Sequence, residues 1–135
     1  MTSSAKVYVK PSEGKYKWSQ TLESITVSLP VRNVLLKNIE LMYTDLVLKV
    51  NVTSINYVQV IDFPHEIDYT STGNKMQLTD THLEVFLMKQ VPQQWTELQY
   101  SGLRGAELTA RRQESLSRYY EYQQKKYKDT QAKVY

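Results

Sequence analysis

Tyr16-Lys17-Trp18-Ser19-Gln20-Thr21, followed after Leu22-Glu23 by Ser24-Ile25-Thr26-Val27-Ser28-Leu29-Pro30, is the stretch that decides how this chain folds. Ile25, Val27 and Leu29 alternate with Thr26 and Ser28, the period-two pattern of a strand with one buried face. Pro30 ends the run, because proline has no N–H to give a ladder. Downstream, Asn38 to Tyr43 and Leu46 to Asn51 flank Thr44-Asp45, a hairpin turn without the usual glycine. Asn56 to Asp62 places Val58 and Val60 on one face. Lys75 to Thr79 and His82 to Lys89 pair across Asp80-Thr81. Together with Lys15 to Gln20 and Ser24 to Leu29 these make seven β-branched runs, closed by a second tryptophan motif, Trp95-Thr96-Glu97-Leu98. Short strands at such intervals, with no crossover helix, predict an all-β fold: an antiparallel seven-stranded sandwich. The connection from Pro64 to Gly73 is expected to be its longest and most mobile.

The frame divides the 135 residues into a polar leader (1–14), a sandwich domain (15–103) and a charged extension (104–135). In the leader, Val7-Tyr8-Val9 has the alternation to pair at a sheet edge. Charge follows the same division. Residues 1–103 hold nine Lys/Arg against ten Asp/Glu, and residues 104–135 hold eight against four, so the net +3 belongs to the extension. Past Gly102 and Gly105 the pattern becomes helical. Glu107/Arg111, Glu114/Arg118 and Glu121/Lys125 are acid-to-base pairs at i,i+4, each worth about 0.2–0.5 kcal/mol. Leu108, Leu116, Tyr119, Tyr120, Tyr122 and Tyr127 keep no steady heptad. The expectation is one helix, roughly 35 Å long from Ala106 to Lys128, solvated over much of its length and adding nothing to the sandwich core.

Several chemistries find no support. Without cysteine there is no disulfide, thiolate site or cysteine nucleophile, which suits a reducing compartment. His65 and His82 stand apart, and Asp62, Glu66 and Asp68 read as a solvated turn rather than paired catalytic carboxylates. The four glycines form no phosphate loop. Asn51-Val52-Thr53 fits a glycosylation pattern, but no apolar signal run precedes it. No stretch is long and apolar enough to span a membrane. The expectation is a soluble, cytoplasmic protein with no catalytic residues, cofactor, metal or membrane partner. Tyr119-Tyr120-Glu121-Tyr122 through Lys125-Lys126-Tyr127-Lys128 interleaves rings with bases as single-strand nucleic-acid binders do; glutamates at every seventh position favour helix support instead.

The ordered motifs Tyr16-x-Trp18-x-Gln20-Thr21, Val27-Ser28-Leu29-Pro30, Leu48-Lys49-Val50-Asn51, Val58 through Pro64-x-x-Ile67-Asp68, and Trp95-x-x-Leu98 resemble the CS domain. This is the sandwich of p-twenty-three, NudC and related co-chaperones of heat-shock protein 90, including factors that assemble axonemal dynein. The resemblance continues through Ser101-Gly102 into the charged helix. It implies a non-catalytic co-chaperone or adaptor whose partners are heat-shock protein 90 or another chaperone, and dynein assembly factors or dynein chains, in cytoplasmic preassembly of ciliary dynein arms. A NudC-like, client-holding or dynein-associated module is the alternative. Leu22 completes a NudC-like opening, but NudC has paired tryptophans at the close and this chain has Trp95 alone. Long members add tetratricopeptide repeats of about 34 residues, and three do not fit here; the expectation is a fragment ending in a linker helix or a short member. Lys89 matches a lysine that some CS domains set against the chaperone, a solvent-facing strand-end lysine being the plain alternative. Trp18, Gln20 and Trp95 complete the candidate interaction residues. The tryptophans either fill the core or stand exposed as anchors.

Overall fold

In the computed structural model, residues 7–12 and 16–134 are described, with side chains for 16–127. The strands are β1 (Val7–Ser12), β2 (Tyr16–Gln20), β3 (Ser24–Pro30), β4 (Ile39–Tyr43), β5 (Val47–Val52), β6 (Tyr57–Asp62), β7 (Lys75–Leu78) and β8 (His82–Met88), followed by helix α1 (Gly105–Val134). One sheet is ordered β1-β2-β3-β8-β7 and the other β4-β5-β6. Each pairing is antiparallel. The seven expected strands are β2 to β8. An eighth, β1, pairs with β2 at the sheet edge, where the Val7-Tyr8-Val9 alternation allowed it.

Register shows why the alternation matters. Ile25, Val27 and Leu29 of β3 face Leu87, Val85 and Leu83 of β8, and all six are fully buried. Leu48, Val50 and Val52 of β5 oppose them from the small sheet with Ile61 of β6. Each such side chain removed from water contributes roughly 1.5–3 kcal/mol. Val58 and Val60 do share a face, but it is the outer one, and Val58 is 54% exposed. Between β5 and β6 the chain reverses through Asn56 at φ 52°, a left-handed conformation that asparagine tolerates.

Two expectations are corrected. The connection 64–73 is tied down rather than loose. Ile67 is fully buried and bridges Lys89, and the Asp68 carboxylate caps its own turn by accepting from Thr70 N and Oγ1. The helix, moreover, is not merely solvated. Its first half docks on the sandwich, where Ser115 is completely buried, while the face carrying Glu107, Glu114 and Glu121 is exposed. Of the arginines read as partners of those glutamates, Arg118 makes its ion pair with Asp45 of the sandwich, and Arg111 donates to Phe63 O.

Candidate protein-interaction site

After β8 the chain runs from residue 90 to 104 without helix or strand, as a strap across the end of the sandwich. Three of the four expected site residues hold it there. Gln20, the last residue of β2, uses both ends of its amide: Nε2 donates to Trp95 O at 2.8 Å, and Oε1 accepts from Trp95 N at 2.9 Å. Lys89 Nζ donates to the same Oε1 at 2.8 Å, to Thr21 O at 2.6 Å and to Gln93 O. Three acceptors thus meet the three donors of an ammonium. Nζ also lies 5.5 Å from the centre of the Trp95 ring. Burial pushes the Lys89 pKa down to about 8, opposed by the Glu23 carboxylate, so the group remains charged at neutral pH.

Lys89 is only 6% exposed, and so is not a solvent-facing strand-end lysine. Trp95 seals the core at 2% exposure, tilted against Phe63 and His65. Trp18 is buried on β2 opposite Val27, apart from this latch. Both tryptophans therefore take the core-filling alternative. Of the strap's outward side chains, Val91 is exposed, as is Leu22 across from it, whose carbonyl accepts from Gln93 N.

A second cluster was not foreseen. Two buried carboxylates at one end of the small sheet, Asp45 in the β4–β5 turn and Asp62 at the end of β6, receive the helix. Arg118 forks onto Asp45 at 2.7 and 3.2 Å, and Arg112 onto Asp62 at 2.8 and 2.6 Å. Between them Ser115 Oγ lies 2.6 Å from Thr44 Oγ1, donates to the Asp45 carboxylate and accepts from Leu46 N. Arg111 donates to Phe63 O and stacks on Tyr100, while Tyr69 lies among Tyr119 and Tyr122. Gly102 lets this corner close, since a Cβ there would overlap the Tyr100 ring and hydroxyl. Burial alone would raise the Asp62 pKa; the hydrogen bonds and charge of Arg112, with help from Gln99 and Arg111, outweigh it and hold the carboxyl below its ordinary value. The one available signal was the spacing of three between Arg112, Ser115 and Arg118, which puts a polar row along the helix.

Asp62 is committed to an arginine, Asp68 to a turn, and Glu66 is exposed. Among the described residues no three His, Cys, Asp or Glu gather as metal ligands, and no helix is long and apolar enough to cross a membrane. The ring-and-base interleaving of the helix is partly consumed, since Tyr119 and Tyr122 pack on Tyr69.

Comparison with known proteins agrees with this architecture. The CS domain profile matches residues 14–89, more than half the chain, and the protein belongs to the CS domain family, a non-catalytic domain of co-chaperone type. Nine solved chains match in structure. Among them is the nuclear movement protein from E. cuniculi GB-M1, 21% identical, superposed with a TM-score of 0.53 over 64% of this chain and 100% of that one. At that identity the likeness is one of fold. No curated protein sequence matches the chain.

Proposed function

We propose that this chain is a non-catalytic co-chaperone or adaptor that binds heat-shock protein 90 or its assembly partners in the cytoplasm. The pathway is the preassembly of axonemal dynein arms for ciliary motility. The observation that carries the co-chaperone reading is the CS domain spanning 14–89, folded as a two-sheet sandwich. The dynein-arm reading rests on the motif order from Tyr16 to Leu98 and its continuation into the helix, which resemble the N-terminal CS domain of dynein axonemal assembly factor 4. Binding is non-covalent. Gln20, Lys89 and Trp95 support the contact from beneath by fixing the strap, Trp18 fills the core under β2, and the exposed Val91 of the strap and Leu22 across from it meet the partner. A NudC-like client-holding module is the second reading, favoured by the opening Tyr16-Lys17-Trp18-Ser19-Gln20-Thr21-Leu22.

The test is titration of the whole chain against purified heat-shock protein 90, alongside capture from ciliated and non-ciliated cell extracts. Saturable binding weakened by Val91→Glu, with dynein assembly factors recovered only from ciliated extract, is the expected result. Absence of chaperone binding, with unfolded clients held instead, would give the second reading.

A further inference from the structure

The outer face of the small sheet is half covered by α1, and the uncovered half is a groove with its own chemistry. Register places Met42 of β4 and Val60 of β6 on either side of Lys49 in β5, all outward. The helix supplies the facing wall with Arg112, Leu116 and Tyr120, one turn apart each. The groove encloses about 330 Å³. That is near the small end of ligand sites, roughly 300–1,000 Å³, and suits one or two large side chains rather than a folded domain.

Two features define what fits. The floor and wall are apolar, and Tyr120 is 55% exposed beside them; Tyr127, 65% exposed, continues the same helix face. The charges on the lining are cationic, from Lys49 and Arg112, and no carboxylate lines the groove. Arg112 is already neutralised by Asp62. Lys49 is exposed and has no hydrogen-bond or ion-pair partner among the described residues. Glu40 lies one row further along the sheet, accepting from the Asn51 amide.

We propose that this groove docks a short segment of a partner protein bearing one or two large apolar side chains next to Asp or Glu. The apolar anchors fill the space between Met42, Val60 and Leu116, and the carboxylate pairs with Lys49. The helix wall lies outside residues 14–89, so the surface is built by this chain's extension and not by the CS domain alone. It is also distinct from the strap surface, and chaperone binding there neither requires nor excludes it.

The experiment uses the whole chain and two labelled synthetic peptides with the same Leu and Phe anchors, one flanked by Asp/Glu and the other by Lys/Arg. Fluorescence anisotropy is expected to show the acidic peptide binding about tenfold or more tightly, with the preference shrinking at high salt. Lys49→Glu and Tyr120→Ser alter exposed side chains, and each should weaken that peptide about tenfold without moving the unfolding midpoint. Equal affinity for both peptides, indifference to both substitutions, or no binding of either peptide at millimolar concentration would overturn the proposal. So would a concentration-dependent dimer abolished by Lys49→Glu, which would put a second copy in the groove.

Discussion

Lys89 shows how far a residue's environment can depart from its type. It sits at the end of an alternating strand, where a lysine ordinarily reaches solvent, yet the strap folds over it: Gln93 of the strap and Thr21 just past β2 supply carbonyls, and the Gln20 amide is the third acceptor. Replacing it with methionine keeps the bulk but strands those carbonyls, and should cost about 2–4 kcal/mol in denaturant unfolding. Lys89→Glu should be worse, since a carboxylate would face three oxygens. A charge reversal at Lys89 therefore reports on folding before it reports on binding. Trp95→Ala removes a ring sealed against Phe63 and should cost about 3–5 kcal/mol. If Lys89→Met unfolds like the unaltered chain, the latch is not holding the strap.

At the scale of elements, the docking of α1 is the part of the structure the sequence concealed. Strands are legible because period two is local: Ile25, Val27 and Leu29 announce one buried face without reference to anything distant. The partners of Arg112 and Arg118 are 50 and 73 positions away, and nothing near either arginine marks them. Worse, Arg118 stands four residues after Glu114, so the local reading had a ready partner for it. The strap hid for the same reason: Trp95 was visible as a motif, but its clasp by Gln20 spans 75 positions. The docking makes a prediction with a defined sign in pH. Asp62 has a folded-state pKa below its unfolded value, so its contribution is complete above the unfolded value of about 3.9 and is lost as pH falls through the folded one. A double-mutant cycle of Asp62→Asn and Arg112→Gln should give a coupling of about 1–2 kcal/mol at pH 7, modest because Arg112 is 44% exposed. The coupling should vanish below the carboxylate range. A coupling that persists in strong acid would mean that the pair is held by geometry alone.

For the whole molecule, the unit that folds should extend beyond the unit that a family profile recognises. Residues 14–89 contain every strand from β2 to β8. They omit Trp95 and Leu98, both members of the buried core, and the strap carbonyl that accepts from Lys89. They also omit Arg112 and Arg118, the cations that pair with Asp62 and Asp45. Cutting after Lys89 opens a hole over Phe63, leaves a buried ammonium short of an acceptor and exposes two carboxylate sites. Together these are comparable to the whole stability of such a domain, about 5–15 kcal/mol. Cutting after Arg104 keeps the strap and loses only the helix. Among the three chains 1–89, 1–104 and 1–135, the midpoint of unfolding in denaturant should therefore be higher for 1–135 than for 1–104, and 1–89 should show no cooperative transition. If 1–89 unfolds cooperatively at the same midpoint as the whole chain, the strap and helix are passengers on a self-sufficient sandwich. If 1–104 matches 1–135 while 1–89 does not, the strap alone completes the core, and the arginine contacts of α1 serve to position the helix rather than to stabilise the fold.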